Sequence, residues 1–212
     1  MKKFLMSIVV LIVAANTIFA QNPNYVKAME SLVSEIQSSQ FGVPLQAQAN
    51  KMERIASAEK TEWLPNYWVA YCYLMDSYAE TDGGKKDLLL DKADQFLSIA
   101  DKINVKEEEL EILRANLASA RMSVSPQDRW QKYGQLSAKA LGQAKSMNAE
   151  NPRIALLEAQ GIFYTPEAFG GGKDKAKGVF DKAISQFSAF KAKSSLHPNW
   201  GENTTKYMLS QY

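Results

Sequence analysis

The sequence predicts an all-α protein of about nine helices, arranged as antiparallel helix hairpins. Apolar residues recur at steps of three and four through most of its 212 positions, the spacing that lines one face of a helix. Alternating apolar and polar runs, which mark half-buried strands, are almost absent. Short polar turns built from Gly, Pro, Asn and Asp separate the periodic segments.

Each segment follows from those signals. Asn24 to Ser39 carries Val26, Met29, Val33 and Ile36 on one face and stops at Gly42-Val43-Pro44. Leu45 to Lys60 turns Leu45, Met52 and Ile55 inward, and Trp63 to Tyr78 is crowded with aromatics. Asp82-Gly83-Gly84 breaks the chain ahead of a helix over Lys86 to Ile103. Asn104 and Glu107 have the spacing of a capping box and are expected to open a helix running to about Met122. Ser125 is the expected cap of the next helix, with Pro126 in the first turn, where its missing N–H is harmless. That helix runs to about Met147, and Asn151-Pro152 repeats the device for a helix ending at Tyr164. A helix then follows the glycine cluster, and a short one follows His197 to Thr205.

The first twenty residues read as a signal peptide. Lys2 and Lys3 precede an apolar run from Phe4 to Ala15, and Ile18-Phe19-Ala20 places a small residue before the expected cut. The mature domain is then 21–212, with 23 basic and 23 acidic residues. A net charge near zero without a basic stripe argues against a nucleic-acid partner. No later stretch is apolar enough to span a bilayer. Cys72, the only cysteine, lies in an apolar helical run and reads as a small buried hydrophobe. These features predict a periplasmic or secreted protein.

Three helices share a finer pattern of small and bulky residues: Leu90, Ala93, Leu97 and Ala100; Ala140, Ala144 and Met147 with Pro152; Ala176, Phe180, Ala183, Phe187 and Phe190. It resembles the second helix of a tetratricopeptide repeat. Trp68, Tyr71, Cys72 and Met75 fall at the spacing of that repeat's first helix, and Leu156, Ala159, Gln160 and Phe163 do so more weakly. Cys72 and Gln160 stand where the family has glycine. The resemblance, over roughly Trp63 to Phe190, implies a right-handed α-solenoid. It also implies a non-enzymatic scaffold that engages a protein or peptide on its concave face.

Gly170-Gly171-Gly172-Lys173 poses the question of a phosphate loop. Glu167 stands where a Walker motif needs its first glycine, Asp174 where it needs Ser or Thr, and the segment before it is helical rather than a strand. A hairpin turn is the expected role, as at Thr81 to Asp87. A weak anion site at Gly171, Gly172, Lys173 and Lys175 remains as a second reading. The segment from Tyr164 to Ala183, with Ala176, Phe180 and Ala183 following the glycines, also resembles a turn in small exported tetratricopeptide-like proteins of Gram-negative bacteria, including the T components of TRAP-type transporters. That likeness implies, as the alternative, a periplasmic small-molecule binding protein with an enclosed apolar cavity.

No catalytic, cofactor or metal motif is visible. His197 has no second histidine or thiol near it in sequence, and it reads as solvated or locally hydrogen-bonded. The acidic run Lys106 to Glu111 reads as a solvated face. Trp63, Tyr67, Trp68, Tyr71, Tyr73 and Tyr78 cannot all face one side of a helix. Trp68, Tyr71 and Met75 take the core positions, which leaves Trp63, Tyr67 and Tyr78 as candidates for a more exposed partner or ligand groove, core packing being the other reading.

Overall fold

Leu90, Ala93, Leu97 and Ala100 are all fully buried along one stripe of their helix, and the residues between them face solvent or the stripe's edge. The computed structural model describes residues 22–40 and 42–212, and the signal peptide expected over the first twenty lies outside them. Among the described residues are nine α-helices: α1 (Pro23–Ser38), α2 (Gln46–Ala58), α3 (Trp63–Ala79), α4 (Gly83–Ile103), α5 (Glu108–Val124), α6 (Pro126–Met147), α7 (Pro152–Tyr164), α8 (Lys173–Ala189) and α9 (Glu202–Leu209). A single 3-10 turn, Glu167–Phe169, joins α7 to α8, and no strand occurs among the described residues.

The helices pack as sequential hairpins, α3 on α4, α5 on α6 and α7 on α8. The first members also touch one another, α3 against α5 and α5 against α7, so they form an inner layer. Their burial reflects it: α3 hides thirteen of its residues, whereas α6 hides only Ala140 and Ala144. In α4, α6 and α8 small residues let each outer helix lie close to its partner, while Leu97 and Phe180 fill the space between. Helices α1 and α2 cover the α3 end of the stack, and α9 packs on α8 at the other.

After α8 the chain runs without regular structure through residues 190–201 and returns across the inner layer as a strap. Trp68 Nε1 donates to the Leu196 carbonyl at 2.9 Å, and Trp200 Nε1 donates to the Tyr67 hydroxyl at 2.8 Å. Ser195 Oγ donates to Glu30 at 2.7 Å, and the Asn199 amide donates to Gln37 at 2.9 Å, which ties the strap to α1. Gly201 ends it at φ +112°, and a Cβ there would meet Phe187 Cζ at 2.7 Å and Leu156 Cδ2 at 2.9 Å. Only glycine admits that approach.

Several local expectations are corrected. Asn104 closes α4 instead of opening α5, which begins at Glu108 without a side-chain cap. The acidic run is no solvated face, because Glu107, Glu108 and Glu109 are all buried. Cations from distant parts of the chain draw them inward. Helix α4 starts at Gly83, three residues early, because the Asp82 side chain accepts from the Lys85 amide at 2.8 Å and caps it there. Met147 is 46% exposed and lies outside the buried stripe of α6.

One buried ion pair joins these layers. Arg153, fully buried at the start of α7, donates through Nε to Glu109 Oε2 at 3.0 Å and through its second arm to Glu109 Oε1. Asn151 Nδ2 adds a bond to Glu109 Oε1 at 2.6 Å. The guanidinium also lies 4.6 Å from the Phe190 ring centre and 5.6 Å from that of Trp200. Replacing Arg153 by Met strands a buried carboxylate, so Arg153→Met is expected to cost about 3–5 kcal/mol in denaturant melts. The joint change Glu109→Leu with Arg153→Met is expected to cost less than Arg153→Met alone.

Candidate functional site

The residues nominated from sequence fall at opposite ends of the inner helices. At the N-terminal end, α3 begins with Trp63, which is half-buried. Its ring meets Tyr67 edge-on at 5.9 Å and His197 of the strap at 5.7 Å. Tyr67 itself is fully buried, and its hydroxyl accepts from Trp200. The expectation that it lies on a more exposed surface is therefore corrected: one helical turn separates it from Trp63, but the strap covers that turn. Burial, and the nearby Glu109 carboxylate, push its phenol well above the usual range.

His197 is half-buried, and its Nδ1 lies 2.8 Å from Ser194 Oγ, which also accepts from the Leu196 amide at 3.2 Å. Burial and the Lys193 charge lower its pKa, with Glu108 opposing, which favours the neutral ring. Lys193 bridges Glu107 at 2.7 Å and Glu108 at 3.0 Å, and so fastens the strap to the start of α5. Burial and the neighbouring Glu108 raise the Glu107 carboxyl despite Lys193. Burial would raise Glu108 also, but bonds from Glu107, Asn148 and Lys193 outweigh it and bring it to about 2.

At the C-terminal end of the inner helices, Tyr78 closes on Asn116, its hydroxyl donating to Oδ1 at 2.7 Å. Beyond it, Tyr164 is 72% exposed and Phe169 is 81% exposed on the loop that holds the glycines. Gly170 has φ +89° and Gly172 has φ +114°, and a Cβ on Gly171 would stand 2.2 Å from the Thr165 carbonyl oxygen. The Gly171 and Gly172 amides donate to Pro166 and Ile162 carbonyls at 3.2 and 2.9 Å. Lys175 donates to the Gly170 carbonyl at 3.2 Å, and Lys173 donates to that of Gln211 and lies 5.0 Å from the Tyr212 ring centre. The amides and lysines nominated as an anion site thus bond within the loop and to the C-terminus.

Among the described residues no group of three or more His, Cys, Asp or Glu side chains is placed to hold a metal ion, and no helix is long and apolar enough to cross a membrane. Cys72 is buried, and burial raises its thiol far above the usual value. Two depressions on the outer face of α4 are open to solvent and lined largely by Asp91, Asp94, Gln95 and Lys92. Neither involves the nominated aromatics. Sequence reasoning missed Arg153, Glu109 and Lys193, whose pairing spans 44 to 86 positions. It also passed over Tyr164 and Phe169, whose place beside a glycine turn was the available signal.

Stacked helix hairpins, an inner aromatic layer and a returning strap define an all-helical protein whose residues offer surfaces for binding. The chain belongs to the family of the HusA haemophore from Porphyromonas gingivalis. The two share 34% identity across 91% of this chain and 94% of the other, with a TM-score of 0.78. No family model matches the chain, and a search of curated proteins finds no match.

Three outcomes follow from this geometry. Gly171→Ala is expected to cost about 1–3 kcal/mol in thermal melts, because its Cβ would collide with backbone rather than with a movable side chain. Lys193→Met is expected to cost about 1–2 kcal/mol near neutral pH, less than a fully buried pair would, because the lysine is half exposed. Glu108, depressed in the fold, stabilises it above the usual carboxylate pKa and loses that contribution as pH falls toward 2. Melts of the parent chain should weaken over that window.

Proposed function

We propose that this protein is an exported, non-enzymatic carrier of haem or a closely related porphyrin, in the manner of a haemophore. The observation that carries the reading is the match to the HusA haemophore along nearly the whole of both chains. The signal-peptide pattern over residues 1–20 supports export. A near-neutral mature chain with no basic stripe gives nucleic acid no footing.

A porphyrin asks a protein for apolar faces against its plane, cations near its carboxylates and a donor to its iron. Both ends of the inner layer offer part of that set: Trp63, His197 and Lys193 at one, Tyr164, Phe169 and the α8 lysines at the other. The inner face, expected to receive a peptide as in a tetratricopeptide solenoid, is taken by the chain's own strap. This favours a small molecule at an edge over an extended peptide in the groove. The tetratricopeptide-like reading of the hairpins remains part of the proposal, supported by the contacts of α3 with α5 and of α5 with α7.

The test is a titration of the exported protein with haemin, followed by absorbance and by quenching of tryptophan fluorescence. Saturable binding with Kd below about 1 μM, roughly −8 kcal/mol, is the expected result. Absence of saturation together with a co-purifying protein partner would replace this reading with the scaffold one.

A further inference from the structure

We propose that Glu107, Glu108 and Lys193 form a proton-operated latch: one proton held between the two carboxyls keeps the strap fastened to the start of α5, and its loss as pH rises loosens the strap. The device works whatever the protein carries, so it goes beyond the haem-carrier reading and does not rest on it.

Charge and burial are mismatched at this spot. Glu107 and Glu108 are both buried, and Lys193 reaches them from the strap with Nζ 2.7 Å from Glu107 Oε1 and 3.0 Å from Glu108 Oε2. Two acids thus share one ammonium, and that ammonium is itself 52% exposed. The two carboxyls also bond to each other, which requires a proton on one of them, because an ionised carboxylate only accepts. With the proton present, the group carries one negative and one positive charge. Without it, two adjacent carboxylates face one partly solvated lysine, and like charges sharing a buried site resist joint ionisation. The strap would then be tied to a site that repels itself.

The neighbouring elements do not cure the imbalance. Asn148, between α6 and α7, donates to Glu108 Oε1 at 3.1 Å and brings no charge. Arg153 of α7 is committed to Glu109, and Asp101 of α4 pairs with Arg114. Burial, with Glu108 adding to it, raises Glu107 against the pull of Lys193, which makes Glu107 the seat of the proton. Burial at Glu108 is outweighed by bonds from Glu107, Asn148 and Lys193, which bring it to about 2. A raised carboxyl stabilises its surroundings below the ordinary value and loses that contribution as pH rises through its own. A lowered one loses its contribution as pH falls. The strap is therefore held most firmly around the ordinary glutamate value, near pH ~4.3, and less firmly toward neutral and alkaline pH. His197, also on the strap, is lowered by burial and Lys193, with Glu108 opposing. A strap governed by that ring would loosen as pH falls, the opposite direction. What the latch gates is the inner layer, because the strap residues that follow Lys193 cover Trp68 and Tyr67.

The experiment measures hydrogen exchange across residues 190–201 of the exported protein between about pH 5 and pH 8, corrected for the pH dependence of the intrinsic rate. Amides of α4 serve as the gauge of global stability. Strap protection in the parent is expected to fall at least about fivefold over that range, while α4 changes by less than about twofold. Glu107→Gln keeps a donor to Glu108 that cannot ionise, and Glu108→Gln leaves a single carboxylate for Lys193. Both variants are expected to hold strap protection within about twofold across the range. Two variants guard against a folding defect in either one. His197→Gln is expected to keep the parent's response. Strap protection in the parent that stays flat or rises with pH would overturn the latch, and so would a fall of the parent's size in Glu107→Gln. Haemin takes no part in this readout, so failure of the latch and failure of the carrier reading are told apart.

Discussion

The pair between Arg153 and Glu109 is the constraint on which the architecture depends. Two opposite charges in a dry interior are tolerated only when each hydrogen-bonding position is met. Here Glu109 on α5, Asn151 and Arg153 at the start of α7, the Trp200 carbonyl and the rings of Phe190 and Trp200 supply the partners. These groups come from three stretches of chain. The pair therefore fixes the register of two inner helices against each other and fixes both against the strap. An apolar contact of the same size would hold them together without specifying which turn meets which.

The strap extends that specification to the remaining helices. Its bonds reach α1, α3, α5 and α7 in turn, so a segment with no regular structure becomes the common neighbour of the whole inner layer. The groove that an open helical array would offer to a peptide is occupied from within. Under the proposed carrier role, binding falls to the rims, where rings and charged groups meet solvent.

The helices were legible in the sequence because each is specified locally. Leu90 to Ala100 and Ala176 to Phe187 declare their buried stripes by spacing alone, and Asn151-Pro152 places the start of α7 to the residue. The acidic run before Leu110 shows where that reading ends. Three consecutive glutamates look solvated, and only their partners at Arg153 and Lys193, far along the chain, make them interior. Tyr67 is the same case: its helix face is unremarkable locally, and Trp200 decides its fate from 133 residues away. The glycine loop was readable as a turn because failed motif positions are local facts, whereas the exposure of Tyr164 and Phe169 depends on where the turn between α7 and α8 lies against the rest of the fold.

The distances along the chain that the strap spans carry a kinetic consequence. Hairpins α3–α4, α5–α6 and α7–α8 close loops of a few residues and can form early, while contacts from Leu196 to Trp68 and from Ser195 to Glu30 join positions 128 and 165 apart. Such contacts recover their ordering cost only after the intervening elements are in place. The last dozen residues before α9 are thus the closing step of folding. A nascent or partly threaded chain presents Tyr67 and Trp68 uncovered until residues 190–201 have emerged, and the inner layer is sealed only once they dock.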